Sequence, residues 1–60
     1  MLSVSVYLKS GKVIDSLTDQ LNQGVLMLSY VDKNGIAYRI PNDSIEYIEC
    51  EDVDDDEYNE

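Results

Sequence analysis

The 60-residue chain reads as a mainly β protein, and three observations predict that class. Leu2, Val4, Val6 and Leu8 alternate with Ser3, Ser5, Tyr7 and Lys9, the period of two that gives a strand one buried and one wet face. Apolar runs of strand length recur along the chain, separated by Ser10-Gly11, Asn22-Gln23-Gly24, Asp32-Lys33-Asn34-Gly35 and Pro41-Asn42-Asp43-Ser44, all of them turn chemistry. Only one stretch, from Ser16 to Gly24, carries helical spacing.

In chain order, the opening alternation is the first strand, and Ser10-Gly11 turns it back into a second, Lys12-Val13-Ile14-Asp15. Ser16 then offers a helix cap with an acid, Asp19, three residues on. Leu17 and Leu21 stand at i, i+4 and Gly24 stands where a helix would stop, which predicts a short helix over about residues 17–23. A polar loop turning at Asn22-Gln23-Gly24 is the competing reading. Val25-Leu26-Met27-Leu28-Ser29-Tyr30-Val31 is apolar enough to be covered on both faces and should be the central strand. Asp32 to Gly35 forms the next tight turn, with Gly or Asn able to take positive φ, and Ile36-Ala37-Tyr38-Arg39-Ile40 returns as the fourth strand. Pro41 lacks a backbone donor and ends it. Ile45 and Ile48 are three apart, out of phase with a simple strand, so Ile45-Glu46-Tyr47-Ile48-Glu49-Cys50 is expected to run from a single 3₁₀ turn into a short fifth strand. The division follows: residues 1–50 form a small β domain and residues 51–60, with only Val53 and Tyr58 apolar, form an acidic tail that is disordered when unbound.

So short a chain buries only about 60% of the surface its unfolded form exposes, so its stability is thin. Cys50 is alone and there is no His, which excludes an internal disulfide and a tetrahedral zinc site within one chain. An efficient core or self-association into a homodimer is the support that remains. The missing disulfide framework fits a reducing cytoplasm, and no stretch approaches the roughly 20 apolar residues of a membrane span.

Charge is the most uneven property. Ten of the 13 acidic residues lie between Asp43 and Glu60, a stretch without Lys or Arg, while Lys9, Lys12, Lys33 and Arg39 outnumber Asp15, Asp19 and Asp32 in the rest. The net charge of −9 therefore belongs to the C-terminal end. A field of this sign repels nucleic acid and anionic lipid and attracts basic protein surfaces, so the partner expected is a basic protein and not nucleic acid or membrane.

Leu8-Lys9-Ser10-Gly11-Lys12, the Asp-Lys-Asn-Gly hairpin and Ile40-Pro41-Asn42-Asp43-Ser44-Ile45, set among five short strands, resemble in their order the small SH3-like and Sm-like barrels over roughly residues 2–50. The resemblance implies a five-stranded, partly open barrel; the RNA binding of the Sm kind is not implied, because this chain has only four cations and no basic face. By composition, Glu46, Glu49, Glu51, Asp52, Asp54, Asp55, Asp56 and Glu57 on so short a chain make it similar to the small acidic proteins with which bacteriophages occupy host enzymes, some of which copy the charge of DNA.

The residues give little to catalysis or metal binding. Asp52, Asp54 and Asp56 match positions 1, 3 and 5 of a calcium loop, but its position 6 is Glu57 where a glycine is needed, and its position 12 falls beyond Glu60. No His can serve as base, and Cys50 between Glu49 and Glu51 has neighbours that disfavour its thiolate, so it reads as a structural thiol, buried or at an edge. A non-enzymatic protein with no cofactor is expected. Tyrosine offers a large contact area with few rotors, which suits Tyr38 and Tyr47 to an interface beside the acids. Alternate residues of an extended chain are about 6.8 Å apart, close to the spacing of phosphates along one strand of DNA. Glu46, Glu49, Glu51, Asp52, Asp54, Asp55, Asp56, Glu57, Tyr38 and Tyr47 are thus the candidate protein-binding residues, for an inhibitor or modulator occupying a basic, nucleic-acid-binding surface. The alternative is a structural or regulatory homo-oligomer with a solubilising tail.

Overall fold

In the computed structural model the described residues are 1–53. Six strands form: β1 (Leu2–Leu8), β2 (Val13–Thr18), β3 (Asn22–Gln23), β4 (Met27–Val31), β5 (Ala37–Pro41) and β6 (Ile45–Asp52), with a 3₁₀ turn at Asn42–Ser44 before the last. They assemble as two antiparallel three-stranded sheets, in the orders β2-β1-β6 and β3-β4-β5, and neither is closed into a barrel. Backbone links at the Thr18–Asp32 bridge and from Lys33 N–H to Leu17 C=O (2.8 Å) hold the sheets together, and the bond from Lys9 N–H to Ser44 C=O (2.9 Å) continues the β1–β6 ladder into the 3₁₀ turn.

The alternation of β1 sets the core. Val4 and Val6 are fully buried and meet Leu28, Tyr30 and Ile40 of the second sheet, while Ile14 and Ile48 flank Val6 from either side. Thr18 is buried among them because its hydroxyl donates to Val31 C=O at 2.7 Å, which satisfies a polar group that would otherwise be costly to bury. Leu8 N–H bonds Lys12 C=O and Gly11 N–H bonds Leu8 C=O, and the same pair of bonds joins Asp32 to Ile36 and Gly35. Both hairpins therefore turn through three residues ending in a glycine at positive φ, Gly11 at 95° and Gly35 at 84°.

Four expectations are corrected. No helix forms among the described residues: β2 extends through Ser16 and Leu17 to Thr18, paired with Ser3 and Leu2 of β1, and Asn22–Gln23 becomes a sixth strand. Only two leucines favoured the helix, whereas pairing along the full length of β1 satisfies a row of backbone groups. The run Val25 to Val31 is not covered on both faces either. It enters the strand only at Met27, Leu28 and Tyr30 point inward, and Val25 and Leu26 stand 95% and 81% exposed. The phase break between Ile45 and Ile48 has a different cause from the one expected. The 3₁₀ turn lies earlier, at Asn42–Ser44, and a bulge opposite Tyr7–Leu8 leaves Glu46 as the extra residue, so that both isoleucines reach the core side. The last strand is also long: β6 runs eight residues, through Glu51 to Asp52, and Val53 N–H bonds Met1 C=O at 2.9 Å.

Candidate functional site

β6 is an edge strand, paired with β1 alone, and it carries the acids that the chain concentrates here. Beyond the bulge at Glu46, its odd residues Tyr47, Glu49 and Glu51 lie on the outer face of the first sheet. There Tyr47 stands opposite Tyr7, Glu49 opposite Ser5 and Glu51 opposite Ser3; on the other flank of β1, Asp15 faces Ser5. The face thus presents two tyrosines, then three carboxylates around two serines. The rings of Tyr7 and Tyr47 stack with centroids 4.3 Å apart and planes 13° apart, and Tyr47 remains half exposed. The Tyr7 hydroxyl donates to Glu49 Oε1 at 2.8 Å, and the Ser5 hydroxyl donates to Asp15 Oδ1 at 2.6 Å.

These bonds fix side chains that would otherwise be mobile. They also mark the sign of the field: the hydrogen bond to Glu49, followed by partial desolvation and the nearby negative charge, pushes the Tyr7 phenol from 10.0 up to about 12. None of the four cations lies on β6. Lys9 and Lys12 lie at the first hairpin turn, Arg39 on β5 of the other sheet, and Lys33, in the second hairpin turn, borders one depression with Ser3 and Asp15 at the β2 side of the face.

Of the candidate residues, Tyr47, Glu49 and Glu51 come together on this face, with Glu49 and Glu51 alternate residues of one strand, about 6.8 Å apart by strand geometry. Glu46 projects from the bulge, and Asp52 pairs with Leu2 at the end of the sheet on the opposite side of the strand. Tyr38 is not part of the group. It is half-buried on the second sheet, stacked on Tyr30 with centroids 5.0 Å apart, whose phenol is pushed up by burial and whose hydroxyl lies 2.9 Å from that of Ser16. Asp54, Asp55, Asp56 and Glu57 lie outside the described residues. Cys50 is exposed at the sheet edge.

Asp15, Ser5 and the Tyr7–Glu49 bond complete the face and were not among the candidates. Asp15 and Ser5 had only a partial signal: Ser10-Gly11 marks the hairpin, but a two-residue turn there would set Asp15 opposite Val6, and it is the three-residue turn Lys9-Ser10-Gly11 that sets it opposite Ser5. The Tyr7–Glu49 contact spans 42 positions and had none. Comparison of the chain with protein-family models, with curated proteins and with solved structures finds no match.

Proposed function

We propose that this chain is a non-enzymatic protein-binding module, an inhibitor or modulator that occupies a basic, nucleic-acid-binding surface of another protein. The observation that carries the reading is the outer face of β1 and β6: stacked Tyr7 and Tyr47 beside Glu49, Glu51 and Asp15, with Lys33 alone of the four cations bordering the Asp15 side. Carboxylates repeating at about the spacing of phosphates, next to flat rings at the place of bases, suit a groove built for nucleic acid. The hydrogen bonds from Tyr7 and Ser5 hold two of the carboxylates in position before binding, which lowers the entropy cost of association. The acids from Asp52 to Glu57 extend the same field. The scaffold in this reading is a small, partly open SH3-like barrel, supported by the 3₁₀ turn before the last strand and the bridge between Thr18 and Asp32.

The test is capture of basic proteins from a cell lysate on the immobilised chain, followed by elution with duplex DNA. DNA should release the bound protein, and the triple variant Tyr47→Ala, Glu49→Gln, Glu51→Gln should fail to capture it. Equal capture by that variant, or retention in the presence of excess DNA, overturns the reading.

A further inference from the structure

The two sheets leave four edge strands, and three of them are blunted. β3 has only two residues, β5 ends in Pro41, which has no N–H to offer, and beside β2 the Leu17 C=O already accepts from Lys33 N–H. β6 is different. It runs eight residues without Pro, Gly or Lys, and among the described residues it has no ladder on its second side. Two bonds fix which of its backbone groups are left over. Val53 N–H reaches Met1 C=O and Leu8 N–H reaches Lys12 C=O, so the odd residues of β1 bond to β6 and the even ones to β2. Tyr47, Glu49 and Glu51 therefore use their N–H and C=O on β1, whereas Ile48, Cys50 and Asp52 turn theirs to the open edge. Side chains alternate in the same step. Tyr47, Glu49 and Glu51 stand on the outer face, while Ile48 and Cys50, opposite Val6 and Val4, stand on the core side, with Ile48 half-buried and Cys50 exposed.

We propose that the free edge of β6 takes up an extended segment of a partner protein as an added antiparallel strand, and that this segment alternates Lys or Arg with apolar residues. The backbone asks for a strand, because a row of unpaired N–H and C=O groups is matched by another extended chain. The side chains choose which chain. Residues directly opposite across a ladder share a face, so every second residue of the added strand lies beside Tyr47, Glu49 and Glu51. Lys or Arg there makes opposite-charge pairs and can rest on the half-exposed Tyr47 ring. The residues between them lie beside Ile48 and Cys50, where an apolar side chain covers core-side surface that the open sheet leaves to water. A second copy of this chain does not fit. Two β6 strands paired about Cys50 would set Glu49 opposite Glu51, like charge on like charge. The acids thus shut the edge to the protein itself and leave it open to a basic strand. This goes beyond the groove-binding reading, since it concerns the backbone edge of the sheet and the partner needs no groove.

The probe is the peptide acetyl-Lys-Val-Lys-Val-Lys-Val-Lys-amide, titrated into the isotope-labelled full chain and followed by NMR. In the proposed pairing its valines lie opposite Ile48, Cys50 and Asp52 and bond to them, while the lysine amides point away. The amide signals of Ile48, Cys50 and Asp52 should shift most, and their hydrogen exchange should slow. A methyl group on the backbone nitrogen of the central Val should weaken binding about tenfold or more, whereas the same group on a neighbouring Lys nitrogen, at equal charge, should leave it within about twofold. Cys50→Pro removes an N–H from the free edge without touching the β1 ladder, so it should keep the circular dichroism spectrum and lose the peptide; Cys50→Ser should bind as the parent does. The peptide with Glu in place of Lys should not bind. Equal binding of the two methylated peptides overturns strand addition, as does a folded Cys50→Pro chain that binds normally, and if Cys50→Pro does not fold the methylated pair decides alone. No binding of the parent peptide at millimolar concentration overturns the site, and equal binding of the Glu peptide overturns the preference for a basic strand.

Discussion

At the scale of single residues, the Tyr7–Glu49 pair couples two strands and leaves a signature in pH. The folded chain holds the Tyr7 proton up to about pH 12, while the unfolded chain releases it near the ordinary phenol value of 10.0. Between those values the unfolded state binds fewer protons than the folded one, so stability falls as pH rises. Urea unfolding between pH 9 and pH 12 should therefore show a decline that is smaller in Tyr7→Phe, and tyrosinate absorbance of the native chain should lose its latest-titrating component in Glu49→Gln. Unchanged curves in both variants would exclude the hydrogen bond. Buried positions behave differently, through packing. Leu28 is fully enclosed by Val4, Val6, Tyr30 and Ile40, and Leu→Ala at such a site costs about 2 to 5 kcal/mol. At roughly 0.05 to 0.15 kcal/mol per residue, a domain of this size has about 3 to 9 kcal/mol in total. Leu28→Ala should leave most of the protein unfolded at ordinary temperature, as read by circular dichroism; a cooperative melt at the original temperature would remove Leu28 from the core. Val4 and Val6 were legible in the sequence because strand alternation states directly which side chains share a face, whereas the unbroken run around Leu28 did not single it out. The partner of Tyr7 was not, because a contact across 42 positions depends on which strands become neighbours.

At the scale of elements, the two hairpins were legible because their turns are written in local chemistry. Gly11 and Gly35 occupy positive φ, and a Cβ at either would meet nothing within 4 Å, so the cost of a side chain there is backbone strain alone. Gly11→Ala and Gly35→Ala should each destabilise by about 1 to 2 kcal/mol, measured by chemical denaturation, with the sheets retained. A cost near zero would mean that the turn changes type to accommodate the side chain. The second and third segments were harder to read. Ser16-Leu17-Thr18 has weak helical spacing, but Ile14, Ser16 and Thr18 also alternate inward, and the length of β1 decides between the two by offering partners as far as Leu2. Val25 and Leu26 mislead for a related reason: an apolar run states that side chains avoid water, not what covers them. On the strand that covering is the core. At the tip fixed by Asn42, Val25 and Leu26 have no cover among the described residues. The bulge at Glu46 shows the limit of periodicity, since one inserted residue restores Ile45 to the core side without any change in composition.

At the scale of the whole molecule, fold and charge are separable, and both can be tested by changing the C-terminal end. Val53 N–H closes on Met1, so a chain ending at Val53 keeps every backbone pair of the two sheets and should retain its full β signal and its stability. Loss of cooperative unfolding on that truncation would make the last seven residues part of the folding unit. The charge they carry acts at longer range. If the acidic end steers the protein toward a basic groove, its contribution lies in the association rate, because screened attraction acts over about 8 to 10 Å at physiological ionic strength, before any contact is made. Replacing Asp52, Asp54, Asp55 and Asp56 by Asn deletes four of the 13 acids while preserving size and polarity. Stopped-flow association of this variant with the basic protein captured by the parent chain should be slower by about tenfold or more at low salt, with the difference shrinking as salt rises. The dissociation rate should change much less, since Tyr47, Glu49 and Glu51 remain on the face of β1 and β6. Triple substitution of those three should show the converse, a faster dissociation with a smaller change in association. Equal association rates for the parent and the Asn variant at every salt concentration would reduce the acidic end to a solubilising extension.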